Sequence, residues 1–130
     1  MDWYYPVLTG CLIGERAKIR LTDGWSEFAM ENKGIRCVSD EPWITASETA
    51  ECAIAHAAIG DLSTATDLVH WTRRHRRSDG AYYTGLVYPG AVRFPFEEVS
   101  AYTGAAVILA ADAIDCASPA SGVFVPRCYL

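Results

Sequence analysis

The stretch Thr45-Ala46-Ser47-Glu48-Thr49-Ala50-Glu51-Cys52-Ala53-Ile54-Ala55-His56-Ala57-Ala58-Ile59 decides how the rest of the chain is read. It holds no Gly or Pro and is dominated by Ala, the strongest helix former. Thr45 or Ser47 supplies an N-cap, Thr45 with Glu48 has the spacing of a capping box, and Gly60 supplies the stop. Small apolar side chains fall on nearly every side, and a helix with no polar face is buried all round. Glu48 and Glu51 interrupt that apolar surface. A buried carboxylate is costly unless it is paired or used.

A second stretch, 99–114, has the same character. An offset of 114 − 59 = 55 residues sets Ala46, Ala50, Ala55 and Ala58 against Ala101, Ala105, Ala110 and Ala113. Between and before these helices lie two amphipathic ones, 15–30 and 64–76. In the first, Ala17, Leu21, Trp25 and Phe28 keep helical spacing, although Gly24 costs about 1 kcal/mol against Ala. Ser63 is the expected cap of the second. A short helix over 3–12 precedes them, with Pro6 in its first turn. Residues 35–43 read as a loop or short extended piece. Residues 81–92 read as an aromatic loop with some extended structure, closed by Pro95. From about residue 116 the tail is expected to be irregular. Buried and half-exposed helices thus alternate, with each inner helix preceded by a helix, a turn and an aromatic loop. That repeat predicts an all-α fold: a partial α/α toroid of helix hairpins with its aromatic loops gathered at one end. An antiparallel bundle is the competing architecture.

Length and composition fit one domain over 1–130: 51% of residues are hydrophobic and 21% charged. The net charge of −5 argues against a nucleic-acid partner. No apolar run is long enough for a membrane span, and the first residues do not read as a signal peptide, which together suggest a cytoplasmic protein. The five cysteines are odd in number and show no CxxC spacing, so reduced thiols are expected.

Several motifs resemble a known family. Trp3-Tyr4-Tyr5-Pro6-Val7-Leu8, Gly34-Ile35-Arg36-Cys37-Val38-Ser39-Asp40, Trp43-Ile44-Thr45, Asp79-Gly80-Ala81-Tyr82-Tyr83-Thr84-Gly85 and Ala105-Ala106-Val107-Ile108-Leu109-Ala110-Ala111 resemble the C-terminal part of actinobacterial prenyltransferase-like proteins. Those belong to the terpenoid cyclase and protein prenyltransferase superfamily of α/α toroids. The resemblance implies an apolar, isoprenoid-like ligand. The chain departs from the family in lacking a DxDD-type motif and a zinc-binding Asp, Cys and His set. It also supplies only two to three of about six helix pairs. A second copy or a partner chain would then be needed to close the ring.

In such a ring the loops 34–44 and 79–98 share one end. They hold Asp40, Trp43, Tyr82, Tyr83, Tyr88 and Glu97, with Glu48 and Tyr102 in the first turns of the following helices. Aromatic faces stabilise a carbocation and also stack on sugar rings. The reading assigns proton transfer to Glu48 and Asp40, and ligand contact to Trp43, Tyr82, Tyr83, Tyr88, Tyr102 and Glu51, with no metal and no cofactor. The structural alternatives are a cap for Glu48 and an arginine pair for Glu51. Cys52 and His56 share a helix face, either as metal ligands or as a packed thiol and a hydrogen-bonded core histidine. The run Arg73-Arg74-His75-Arg76-Arg77 could grip a diphosphate or simply end a solvated helix, with Asp112 and Asp115 as ion-pair partners. Three functions follow. The first is a prenyltransferase- or cyclase-like domain binding an isoprenoid-like ligand. The second is a non-catalytic binding or assembly module. The third is a carbohydrate-active toroid in which Asp40 and Glu97 flank a glycosidic bond.

Overall fold

The computed structural model describes residues 1–129. It contains five α-helices and five strands: α1 (Tyr5–Leu8), α2 (Gly14–Phe28), β1 (Ala29–Met30), β2 (Gly34–Arg36), β3 (Trp43–Thr45), α3 (Ala46–Ala58), α4 (Leu62–Thr72), β4 (Tyr83–Val87), β5 (Val92–Val99) and α5 (Ala101–Asp115). The strands form one antiparallel sheet in the order β1-β2-β3-β4-β5. The all-α toroid is therefore corrected to a mixed α/β fold. The segments read as loops with some extended structure contribute residues to strands β2, β3, β4 and β5.

The physical reason lies in β3 to β5. Trp43, Ile44 and Thr45 pair with Val87, Leu86 and Gly85, and β-branched and aromatic residues suit such a pleated surface. Gly85 is needed there, because a Cβ at that position would come within 3.0 Å of the carbonyl oxygens of Ile44 and Phe94. Pro95 does not close a loop. It lies in β5, the outermost strand, where a missing N–H is tolerated. The repeat survives in another form, since the order helix, strands, helix occurs twice: α2 to α3, then α4 to α5.

Helix α3 is the hub. Ala46 through Ala57 are all buried, wrapped by α1, α4, α5 and strands β2, β3 and β4. Thr45 is its N-cap, as its sequence spacing implies. The core around it includes Tyr4, Leu21, Ile35, Leu68 and Val125, all essentially inaccessible to solvent. Gly24 costs α2 little because the Trp3 ring lies against it, and a Cβ there would sit 2.3 Å from that ring. The cap of α4 is Asp61, whose carboxylate accepts the Thr64 N–H, and not Ser63. Two further readings change. Cys116 and Cys128 form a disulfide, so not all thiols are reduced. The tail is ordered into 3-10 turns at Pro119–Val123 and Pro126–Tyr129. No helix among the described residues is long and apolar enough to cross a membrane.

Candidate active site

The first two turns of α3 place Glu48 and Glu51 three residues apart, hence on neighbouring positions of one face. They are only 6% and 8% exposed. Glu48 closes a small ring with its own cap: its N–H donates to the Thr45 hydroxyl at 3.3 Å, and that hydroxyl donates to the Glu48 carboxyl. Burial pushes the Glu48 carboxyl above the usual carboxylate range. The Thr45 hydrogen bond opposes the shift and the nearby Glu51 charge adds to it.

Glu51 has different company. The Tyr4 hydroxyl donates to Oε2 at 2.8 Å, the Tyr5 hydroxyl donates to the same oxygen at 3.2 Å, and the Tyr102 hydroxyl donates to Oε1. An arginine was the expected partner, and three tyrosines take its place. Burial, with Glu51 close by, raises Tyr4 and Tyr5, and the Glu51 hydrogen bond raises Tyr102. The phenols therefore remain donors. Tyr102 is the exposed member of the cage, at 61%. The sequence offers Tyr4 and Tyr5 only as a Trp-Tyr-Tyr cluster near the start of the chain, and their convergence on Glu51 is tertiary.

A cleft of about 660 Å³, which neither Glu48 nor Glu51 lines, is walled by Trp3, Phe28, Asp2, Asp23, Glu27 and Asp40 among others. Trp3 and Phe28 stack at 5.6 Å. Cys37 joins cleft and pair. It lines the cleft, and its thiol is raised by burial and then by the charge of Glu48. Asp40 also lines the cleft, while Glu97 lies on β5 bonded to Arg93. The two carboxylates proposed to flank a bond sit in different surroundings.

The other expected ligand residues are dispersed. Trp43 stacks on Phe94 at 5.0 Å. Tyr82 packs against the main core. Tyr83 lies under Arg93 and Arg77, and Tyr88 is buried with Ile44 and Leu86. Cys52 is fully buried, and His56 Nδ1 lies 3.0 Å from Asp61 Oδ2. That matches the core-histidine reading, and no group of metal-ligating residues is assembled among the described residues. Asp112 accepts from Ser118 and forms no ion pair with the arginines.

No protein-family model matches the chain. It is 48% identical over 124 residues to a protein named MMP endo-(1,4)-3-O-methyl-alpha-D-mannosidase, from Mycolicibacterium hassiacum. The match covers 95% of this chain and 34% of that protein, so the chain spans about a third of its relative's length. This relationship, with the sheet, overturns the prenyltransferase and terpenoid cyclase resemblance and with it the isoprenoid-like ligand. The reason for the earlier likeness is physical. Ala-rich buried helices and Trp-Tyr clusters report helix packing and aromatic cavities, which unrelated chemistries share. The ring-completing partner was argued from the toroid and loses that basis.

Proposed function

We propose that the chain carries part of the active site of a glycoside hydrolase acting on α-linked, O-methylated mannose, the substrate class in its relative's name. The observation that supports this best is the Glu48–Glu51 pair: two buried carboxyls one turn apart, with different hydrogen-bond partners. Glu48, raised by burial, is suited to hold a proton and donate it to the glycosidic oxygen as the bond to C1 breaks. Glu51, served only by hydroxyl donors, faces the positive charge that develops at C1. Asp40, on the cleft wall, takes the proton from the water that adds to C1. Tyr102, the exposed member of the cage, meets the sugar. No metal or cofactor is invoked.

One observation favours a second reading. Because the match covers 34% of the relative, the chain by itself suits a non-catalytic sugar-binding module. Incubating the purified chain with an α-1,4-linked 3-O-methylmannose oligosaccharide separates the two. New reducing ends, lost by about 10²–10⁴-fold in Glu48→Gln, support hydrolysis. Binding without cleavage supports the module. Neither binding nor cleavage overturns both.

A further inference from the structure

A second concave surface, separate from Glu48, Glu51 and Asp40, lies between the end of α4 and the β4–β5 hairpin. It encloses about 390 Å³ and is lined by Arg74, Arg76, Arg93, Tyr83, Tyr88 and Leu86, with Ala91 at the edge. No carboxylate lines it. In a chain with net charge −5, three arginines lining one hollow form a local field of the opposite sign. Arg74 and Arg76 form no ion pair among the described residues. Arg93 does have an acidic partner, Glu97, but that side chain is 71% exposed and open to exchange.

The arginines are placed by structured backbone. His75, fully buried and held neutral by burial with a pKa lowered to about 4, anchors the chain between Arg74 and Arg76. The Arg76 N–H donates to the Arg73 carbonyl, and Arg76 bridges to Tyr82. Arg93 is fixed opposite Leu86 in the sheet register. Its guanidinium lies 4.3 Å over the Tyr83 ring, with Arg77 at 5.6 Å. Lys33 sits 5.1 Å over the Tyr88 ring. The like charges repel one another, and an anion in the hollow relieves that repulsion while accepting paired N–H donors from each planar guanidinium.

We propose that this hollow binds an oxyanion, a phosphate or carboxylate group, on a ligand of roughly sugar size, with Tyr83 and Tyr88 flanking its uncharged part. Calorimetric titration of the purified chain with inorganic phosphate, and separately with acetate, at constant ionic strength set by chloride, tests the idea. One-to-one saturable phosphate binding is expected, weakened at least about tenfold in Arg76→Gln and in Arg93→Gln. It should be unchanged in Arg16→Gln, which removes an exposed arginine on α2. Saturation by phosphate alone identifies a tetrahedral anion, and saturation by acetate as well extends the site to carboxylates. Circular dichroism confirms that each variant is folded, with Arg74→Gln as the reserve variant. Absence of saturable binding by wild type overturns the proposal, as does equal weakening in Arg16→Gln. Hydrolysis of methylmannosides plays no part in this readout, so either reading can fail alone.

Discussion

Helices α3 and α5 are nearly the same in composition and opposite in setting. Both are Ala-rich, both start directly from a strand, and both are capped by a hydroxyl side chain, Thr45 in one and Ser100 in the other. Yet α3 is buried along its length, while α5 shows Tyr102, Ala105 and Ile108 to solvent, Ile108 at 70% exposure. Composition makes a helix able to be buried, and topology decides whether it is. Helix α3 leaves the central strand β3 and is covered by three helices and the sheet. Helix α5 leaves the outermost strand β5 and keeps an open face. The candidate chemistry follows the same division. The carboxyls are on the covered helix, and the open one contributes the tyrosine that reaches Glu51.

The largest expected effect comes from matched substitutions at the offset of 55. Ala50 is fully buried and its counterpart Ala105 is exposed. Ala50→Leu overpacks the centre of the molecule and should cost about 3 kcal/mol, whereas Ala105→Leu should stay within about 0.5 kcal/mol. Urea unfolding of both variants measures the difference. Equal losses would break the comparison, because they would mean that α5 is as enclosed as α3.

A smaller effect is expected at the contact between the helices. Tyr102→Phe removes one of three hydroxyls from Glu51 and should cost about 1 kcal/mol, reduced by the exposure of Tyr102. Tyr4→Phe removes a fully buried donor to the same carboxylate and should cost about 2 kcal/mol. The double variant should lose more than the sum, because Glu51 would then keep Tyr5 alone. Additive losses would show that the cage does not act as a unit.

What the sequence reveals divides along the same line. Helix α3, its Thr45 cap and the unusual standing of Glu48 and Glu51 are legible because they rest on local propensity and on spacing within one helix. The sheet is hidden because β1, β2 and β3 are two or three residues long, too short to show alternation. β4 and β5 carry Gly85 and Pro95, which read as loop signals until an edge position and a close backbone approach explain them. The tyrosine cage is not legible, since Tyr4 and Tyr102 are 47 and 51 residues from Glu51 and nothing local links them. Arg93 escapes notice for the same reason. The run Arg73–Arg77 invites an anion from the sequence, but its third guanidinium arrives from a distant strand.

The smallest effect concerns pH, and it belongs to α3. Glu48 is raised in the folded state by burial. A raised folded value means that the folded state holds this proton more tightly than the unfolded chain does. Its contribution to stability is therefore full below the unfolded carboxyl value, near 4.5, and is lost as pH rises through the folded value. His56, on the same helix, is lowered by burial against the pull of Asp61. Its contribution is present above the unfolded value of 6.5 and is lost as pH falls through the lowered folded value. Glu48→Gln removes only the first of these. The stability difference between variant and wild type, measured by urea unfolding from pH 4 to pH 8, should grow in favour of the variant as pH rises. If hydrolysis is observed, the same proton sets its alkaline limb, because the general acid must be protonated. A stability difference that stays flat across this range would show that Glu48 titrates as an ordinary solvated carboxylate, and the division between a covered, proton-holding helix and an open one would lose its chemical half.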